Sequence, residues 1–343
     1  MRYIESKKIG NVESFCPDNG DYAYIKGQKS YLYIDGVLLE KDDAPLELSL
    51  RGKYMYVWYG SGMFELYEGH TLLNSIERNV ILLNEQTQYI GKTYMEFNPY
   101  RKGYNFASPI DEQLILPEFI PCRLYVEDDT IIAYNNFSGE FKRINTQTKT
   151  LWEFPLSSLG GTEYEPGKTD KIDKILGIAH GNIWFYTKFY RLVALDLETG
   201  KKVYSLDCFG VYLDEVTKDI FAIASNGWTI IDTQTSTIKE DYFFSEEDPE
   251  GMGQYESVYK PLLQGDYFTF LGEKEEDYGG IRRVGIFDYK ARKLVWECEV
   301  ISEEEFDETR NQLVPPQPLY MSGDKLYIKD IKDNLHIFER EDI

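Results

Sequence analysis

Apolar and polar residues alternate along most of the chain in short runs, which is the period of β-strands. The most regular run is 182–206, NIWFYTKFYRLVALDLETGKKVYSL. It holds an alternating strand from Ile183 to Thr187, a tight reversal, a second strand ending in Asp196, a Thr199-Gly200 turn and a third strand through Val203. Such a stretch reads as an antiparallel meander. Weaker copies align on the acidic or polar residue that closes the second strand, so that Asp35, Glu68, Asn145, Asp232, Asp288 and Glu339 correspond to Asp196. Several are followed by Thr, Lys or Gly and then an apolar residue such as Trp152, Tyr204, Ile238 or Trp296.

The interval from Glu68 to Asn145 is too long for one repeat, and a degenerate copy fits inside it. Its strands would be Thr93 to Asn98, Tyr104 to Ala107 and Leu114 to Leu116, with a reversal at NPYRKG. Seven clear repeats and an eighth degenerate one result. Each is a small sheet apolar on both faces, stable only when neighbours cover it, and radial packing of such sheets also protects their edges. The expected fold is all-β, a single-domain β-propeller of seven or eight four-stranded blades. Blades are expected at 12–44, 45–77, 78–120 (the degenerate copy), 121–158, 172–208, 209–243, 255–300 and 316–343. The last span has no room for its outer strand, and residues 1–10 can supply one, so closure by pairing of the N- and C-terminal strands is expected. An open β-solenoid of the same period is the alternative.

The segment VALDLETGKKVY resembles the repeat of the quinoprotein-type β-propellers (pyrroloquinoline-quinone-like, with WD-like repeats), whose blades carry Ala-x-Asp-x-x-Thr-Gly before an apolar or Trp position. Ala194, Asp196, Thr199 and Gly200 match it, and the copies at Asn145, Asp232 and Asp288 match in part. The resemblance implies the architecture over most of the chain, whereas function resides in sites grafted on such a fold. Quinone-dependent dehydrogenases of that superfamily need a periplasmic location, a tryptophan floor and a calcium-binding set. Here no export signal is read, and Trp58, Trp152, Trp184, Trp228 and Trp296 fall at strand positions that blade packing explains. No cofactor is expected.

Composition narrows the partners. A formal charge of -22 over 343 residues repels nucleic acid and anionic membranes and favours a basic protein partner. Cys16, Cys122, Cys208 and Cys298 lie far apart without a C-x-x-C pair, which suits buried reduced thiols. The N-terminal MRYIESKKIG lacks a secretory apolar run, and no segment has the roughly 20 apolar residues of a membrane span. A cytoplasmic protein is expected.

Catalytic constellations are not recognisable. His70, His180 and His336 are isolated along the chain, so metal hydrolysis and Ser-His-Asp chemistry lack their parts. His180 reads as a turn residue. Gly160-Gly161 and Gly279-Gly280 carry no following G-K-S/T, and Asp18-Asn19-Gly20-Asp21 reads as a turn rather than a calcium loop. Carboxylate pairs are too abundant among 59 Asp and Glu to single out a glycosidase pair.

The acidic excess is concentrated. Residues 240–308 hold 20 acidic and 7 basic side chains, a net of -13. Three runs carry most of it: SEEDPE at 245–250, EKEED at 273–277 and EEEFDE at 303–308. In an up-and-down blade, the loops between blades and those between the second and third strands leave the same face. The first and third runs read as inter-blade connections and the second as a loop inside the Asp288 blade, so all three are expected on one face, with Tyr164 of the 155–171 connection. The third run carries a helix start, Ser302 as N-cap with Glu305 three residues on and Ile301 with Phe306 as a staple, ending before Pro315-Pro316. The expected partner-binding residues are Glu246, Glu247, Asp248, Glu250, Glu273, Glu275, Glu276, Asp277, Glu303, Glu304, Glu305 and Tyr164.

The sequence therefore favours a non-catalytic protein-binding propeller with an acidic face, in a narrower form an immunity- or inhibitor-type protein that neutralises a basic bacterial toxin or nuclease-like enzyme. Two alternatives stay open. One is an enzyme using an axial funnel, either carbohydrate-active or quinoprotein-like, and the other is a structural or sensory repeat scaffold.

Overall fold

A computed structural model describes residues 2–341 apart from 19, 44, 52–53, 60–62, 78–79, 83–93, 99–102, 108–113, 120–122, 128–129, 137, 146, 148, 162–164, 215, 225, 278–279 and 314–318. Asn19, Thr93, Cys122, Tyr164, Gly279, Pro315, Pro316 and the middle of the NPYRKG reversal thus lie outside the described residues.

The described residues form eight four-stranded antiparallel sheets. After β1 (Tyr3–Ile9), one sheet holds β2 (Ser14–Asp18), β3 (Asp21–Lys26), β4 (Lys29–Ile34) and β5 (Val37–Lys41). The next two hold β6 (Pro45–Arg51), β7 (Tyr54–Tyr59), β8 (Met63–Glu68) and β9 (Thr71–Glu77), then β10 (Val80–Leu82), β11 (Tyr94–Asn98), β12 (Gly103–Ala107) and β13 (Leu114–Phe119). They are followed by β14 (Arg123–Glu127), β15 (Thr130–Asn135), β16 (Glu140–Ile144) and β17 (Thr150–Pro155), and by β18 (Ile172–Ala179), β19 (Asn182–Thr187), β20 (Arg191–Asp196) and β21 (Lys202–Asp207). Two further sheets hold β22 (Val211–Leu213), β23 (Ile220–Ala224), β24 (Gly227–Asp232) and β25 (Thr237–Phe243), then β26 (Tyr255–Gln264), β27 (Tyr267–Lys274), β28 (Arg283–Asp288) and β29 (Lys293–Glu299). The last sheet is made of β30 (Tyr320–Ser322), β31 (Lys325–Lys329), β32 (Leu335–Arg340) and, as its fourth strand, β1.

The hydrophobic pattern follows from strand position. The second and third strands of a sheet, such as β19 and β20, are buried on both faces and read as near-continuous apolar runs. The fourth strand, β21, is exposed along its edge and carries Lys202 and Ser205. The opening stretch is therefore the last three strands of a four-stranded sheet, with β18 ahead of it.

The chain forms two compact units. Met1–Lys53, Phe221–Ile230 and Ile238–Ile343 make the first, Tyr54–Ile220 and Ile231–Thr237 the second. The core of the second unit gathers Phe141, Trp152, Phe185, Val193 and Leu195. Here the motif residues find their physical role. Asp196 Oδ1 accepts the Thr199 N–H at 2.8 Å and the Thr199 hydroxyl at 2.6 Å, closing the turn into β21. Gly200 adopts φ 68°, and a Cβ there would lie 2.6 Å from the Trp152 ring, whose Nε1–H donates to the Leu197 carbonyl at 2.7 Å. Only glycine meets both demands. Asp214 and Thr217 repeat the same pair of hydrogen bonds in the turn between β22 and β23, away from the repeat position. The Asp-x-x-Thr pair thus serves as a turn device at both places.

In the first unit, β1 pairs with β32 from Tyr3 opposite Arg340 to Ile9 opposite Leu335, with a register shift between Glu5 and Lys7. Tyr3 packs on Trp296, which also meets Phe338, so the fourth strand of one sheet is covered by the next. Asp288 closes its turn by accepting the Ala291 N–H at 2.8 Å, and Tyr242 donates its hydroxyl to the Arg292 carbonyl at 3.2 Å, the counterpart of Trp152 on Leu197.

Candidate partner-binding site

The β26–β29 sheet positions all three acidic runs. Its register sets Tyr255 opposite Lys274, Gly272 opposite Arg283 and Arg283 opposite Glu299. The connection entering β26, the one joining β27 to β28 and the one leaving β29 consequently emerge from the same end of one sheet.

The first connection begins as one helical turn, α1 (Phe244–Glu247), held by the buried Phe244 against Trp228, which stacks on Tyr242 with centroids 3.8 Å apart. Asp248 organises the remainder of the loop. Its Oδ2 accepts the Met252 N–H at 3.0 Å and the Leu294 N–H at 3.2 Å. Half-buried and satisfied from within, Asp248 shapes the loop and is not a free surface carboxylate. Glu246, Glu247 and Glu250 are exposed around it.

The second connection contains a correction to the sequence reading. Asp277 is 0 % exposed, so its carboxylate cannot meet a partner. It accepts from Arg282 at 2.9 Å and from Arg283 at 3.0 Å, and takes the Lys274 backbone N–H at 2.8 Å. Arg282 is itself only 2 % exposed and also bonds Glu299 and the Ile301 carbonyl, tying the second connection to the third. A buried arginine of this kind requires its carboxylates. Sequence reasoning passed over Arg282 and Arg283, although two basic residues just after an acidic run were the available signal. Glu275 and Glu276 stay exposed, Glu276 with an ion pair to Arg283 at 2.9 Å, and Glu273 accepts from Tyr259 at 3.1 Å.

The third connection carries α2 (Glu303–Thr309), whose N-cap Ser302 accepts the Glu305 N–H at 3.1 Å. Ile301 and Phe306 are both buried in one cluster, as the staple requires, and the Phe306 ring lies where a Cβ on Gly280 would go. Glu305 turns to Asn311 Nδ2 at 2.7 Å. Glu303 and Glu304 point to solvent. Tyr164 lies outside the described residues and is not counted with this set.

A cleft of about 800 Å3 opens between the first and second connections, lined by Gln254, Tyr255, Glu256, Lys274, Glu275 and Glu276 among others. At its floor Lys274 Nζ lies 5.0 Å from the Tyr255 ring centroid and 2.8 Å from Glu297. Burial, then the hydrogen bond to Glu297, pushes the Tyr255 phenol up, so it stays a neutral donor. Burial alone would raise the Glu297 carboxyl, but hydrogen bonds from Lys274 and Tyr255 hold it below the usual carboxylate range. Among the described residues, Glu246, Glu250, Glu275, Glu303 and Glu304 combine exposure with no hydrogen bond or ion pair.

The histidines sort differently from one another. His180 stands exposed in the turn before β19 at φ 47°, and His70 is exposed in the turn after β8. His336 is not isolated in space: it is 1 % exposed and lies between Glu5 and Asp330. No group of three or more His, Cys, Asp or Glu suited to a metal occurs among the described residues.

No model of a known protein family matches the chain, and no curated protein matches it. Solved structures do. The C-terminal WD40 domain of Sif2 is similar over 99% of this chain and 99% of its own at a TM-score of 0.58 and 9% identity. Chaetomium thermophilum Sqt1, solved bound to the N-terminus of the ribosomal protein L10, matches over 96% and 97% at 0.55 and 10%. The β-propeller domain of Myceliophteria thermophila Cps50 (Swd1) matches over 99% and 100% at 0.51 and 10%. At such identities the likeness establishes the fold, which is that of a β-propeller.

Proposed function

We propose that the chain is a single propeller of eight blades, closed by the pairing of β1 with β32, and that it acts as a non-catalytic protein-binding module. The narrower form of this reading is an immunity- or inhibitor-type protein of the cytoplasm that neutralises a basic toxin or nuclease-like enzyme. One observation carries it: three acidic connections leave one end of the β26–β29 sheet and present five exposed carboxylates that the fold does not use. Charge massed in this way raises the encounter rate with a basic surface and falls away with salt. Sqt1 supplies a precedent for the fold, having been solved with a ribosomal-protein segment bound.

The test is affinity capture from the source cell, followed by mass spectrometry, with the wild-type chain and with a variant in which Glu246, Glu250, Glu275, Glu303 and Glu304 become Lys. Wild type is expected to retain a basic protein that the variant loses, with retention weakening as salt rises. Equal capture by both would end the proposal.

A further inference from the structure

The N-terminal strand is poorly anchored by apolar burial. Of the seven residues of β1 only Tyr3 and Ile9, at its two ends, are buried, and the middle is exposed. Beside the ladder to β32 and a bond from the Ser6 hydroxyl to the Ile337 carbonyl at 3.2 Å, an ionic contact joins that middle to the interior. Glu5 Oε1 lies 2.7 Å from His336 Nδ1, and the other ring nitrogen lies 3.2 Å from Asp330 Oδ2. His336 is 1 % exposed, whereas the Glu5 side chain is 42% exposed.

The protonation of the ring is set by its partners. Asp330 accepts the Lys332 and Asn334 backbone N–H groups at 2.9 Å, Asn334 Nδ2 at 2.8 Å and Asn311 Nδ2 at 2.9 Å. Burial opposes its charge, but hydrogen bonds from His336, Asn311 and Asn334 prevail and hold the carboxyl well below the usual carboxylate range. An ionised carboxylate only accepts, so His336 Nε2 must donate to Asp330 and Nδ1 must donate to Glu5. Only the imidazolium donates from both nitrogens. The other charged or titratable groups around it are Lys8, opposite His336 in the β1–β32 register, Lys329 paired with Asp333 at 2.6 Å, and Glu305 behind Asn311. From β29 comes Cys298, whose thiol is pushed up by burial and then by Glu5.

We infer that His336 is a proton-dependent clasp that locks the middle of β1 to the C-terminal hairpin. When the imidazolium loses a proton, one ring nitrogen turns a lone pair toward a carboxylate. Asp330 is fixed by four other donors, so Glu5 is the side that lets go and β1 frays. The clasp is therefore closed while the ring holds both protons and opens when rising pH removes one of them. At the acid end it weakens when either carboxylate takes a proton. The closure of the last sheet by the first strand would thereby respond to pH.

The test is native-state hydrogen exchange on the full chain, corrected for intrinsic rates, at about pH 6 and about pH 8.5. Protection of β1 is expected to fall about tenfold with rising pH while that of β20 does not change. Glu5→Gln, at an exposed position that leaves the fold intact, is expected to flatten the response of β1. A β1 protection independent of pH, or a Glu5→Gln response equal to wild type, would overturn the inference. Because the chain has three histidines, ring-labelled 15N NMR gives a second reading. Two protonated nitrogens on His336 under the conditions where β1 is protected support the clasp, and a neutral ring under those same conditions refutes it.

Discussion

The two ends of the β26–β29 sheet are built by different rules. At one end β28 meets β29 through a tight turn in which the Asp288 side chain accepts the Ala291 N–H and Arg292 adopts φ 53°. Asp196 and Asp232 do the same for their own sheets, and Asn145 accepts from Gln147 and Lys149. An aromatic side chain then reaches such a turn from the preceding sheet, Trp152 to the Leu197 carbonyl and Tyr242 to the Arg292 carbonyl. At the other end the connections differ in length, hold two short helices and carry the charge. Local hydrogen-bond chemistry fixes the first end and leaves little to vary. The second end is constrained at buried points such as Phe244, Met252, Asp277, Arg282, Ile301 and Phe306, and the surface between them is free to specialise.

The sharpest way to break this comparison is at Asp277. Asp277→Ala removes the buried carboxylate from Arg282 and is expected to cost about 3–5 kcal/mol in urea unfolding, because a buried guanidinium is left with only the part-exposed Glu299 as counter-charge. A cost of that size would show that the acidic end is also structural. Next comes Gly200→Ala, which places a Cβ against Trp152 at φ 68°. The left-handed backbone and the overlap together should cost about 2–4 kcal/mol in the same measurement. Least costly is the five-fold Glu-to-Lys variant, expected to shift stability by no more than about 0.5 kcal/mol per site, since these carboxylates hold nothing together.

The regular end was legible in the sequence and the other was legible only in part. Asp196, Thr199 and Gly200 announce their turn because the contacts are three or four residues apart. Apolar runs such as Ile183–Thr187 announce strands buried on both faces. The Ser302 cap and its buried Ile301 and Phe306 were readable for the same local reason. Asp277 was misread as a surface charge, since its burial depends on Arg282 and Arg283 folding back on it, and composition alone makes it one more acid in a run. His336 read as isolated because its partner Glu5 is brought to it only by the pairing of the two terminal strands. Asp248 is intermediate: its run was noticed, but not its role as acceptor for Met252 and Leu294.

The central claim is that the end of the β26–β29 sheet carrying the acidic connections, and not the end carrying the turns, meets the partner. Hydrogen-exchange footprinting of the complex with the captured basic protein tests it most directly. The account predicts new protection in 244–254, 275–282 and 300–313, with none in 288–293. Protection confined to the 288–293 turn and the edge of β29 would contradict it.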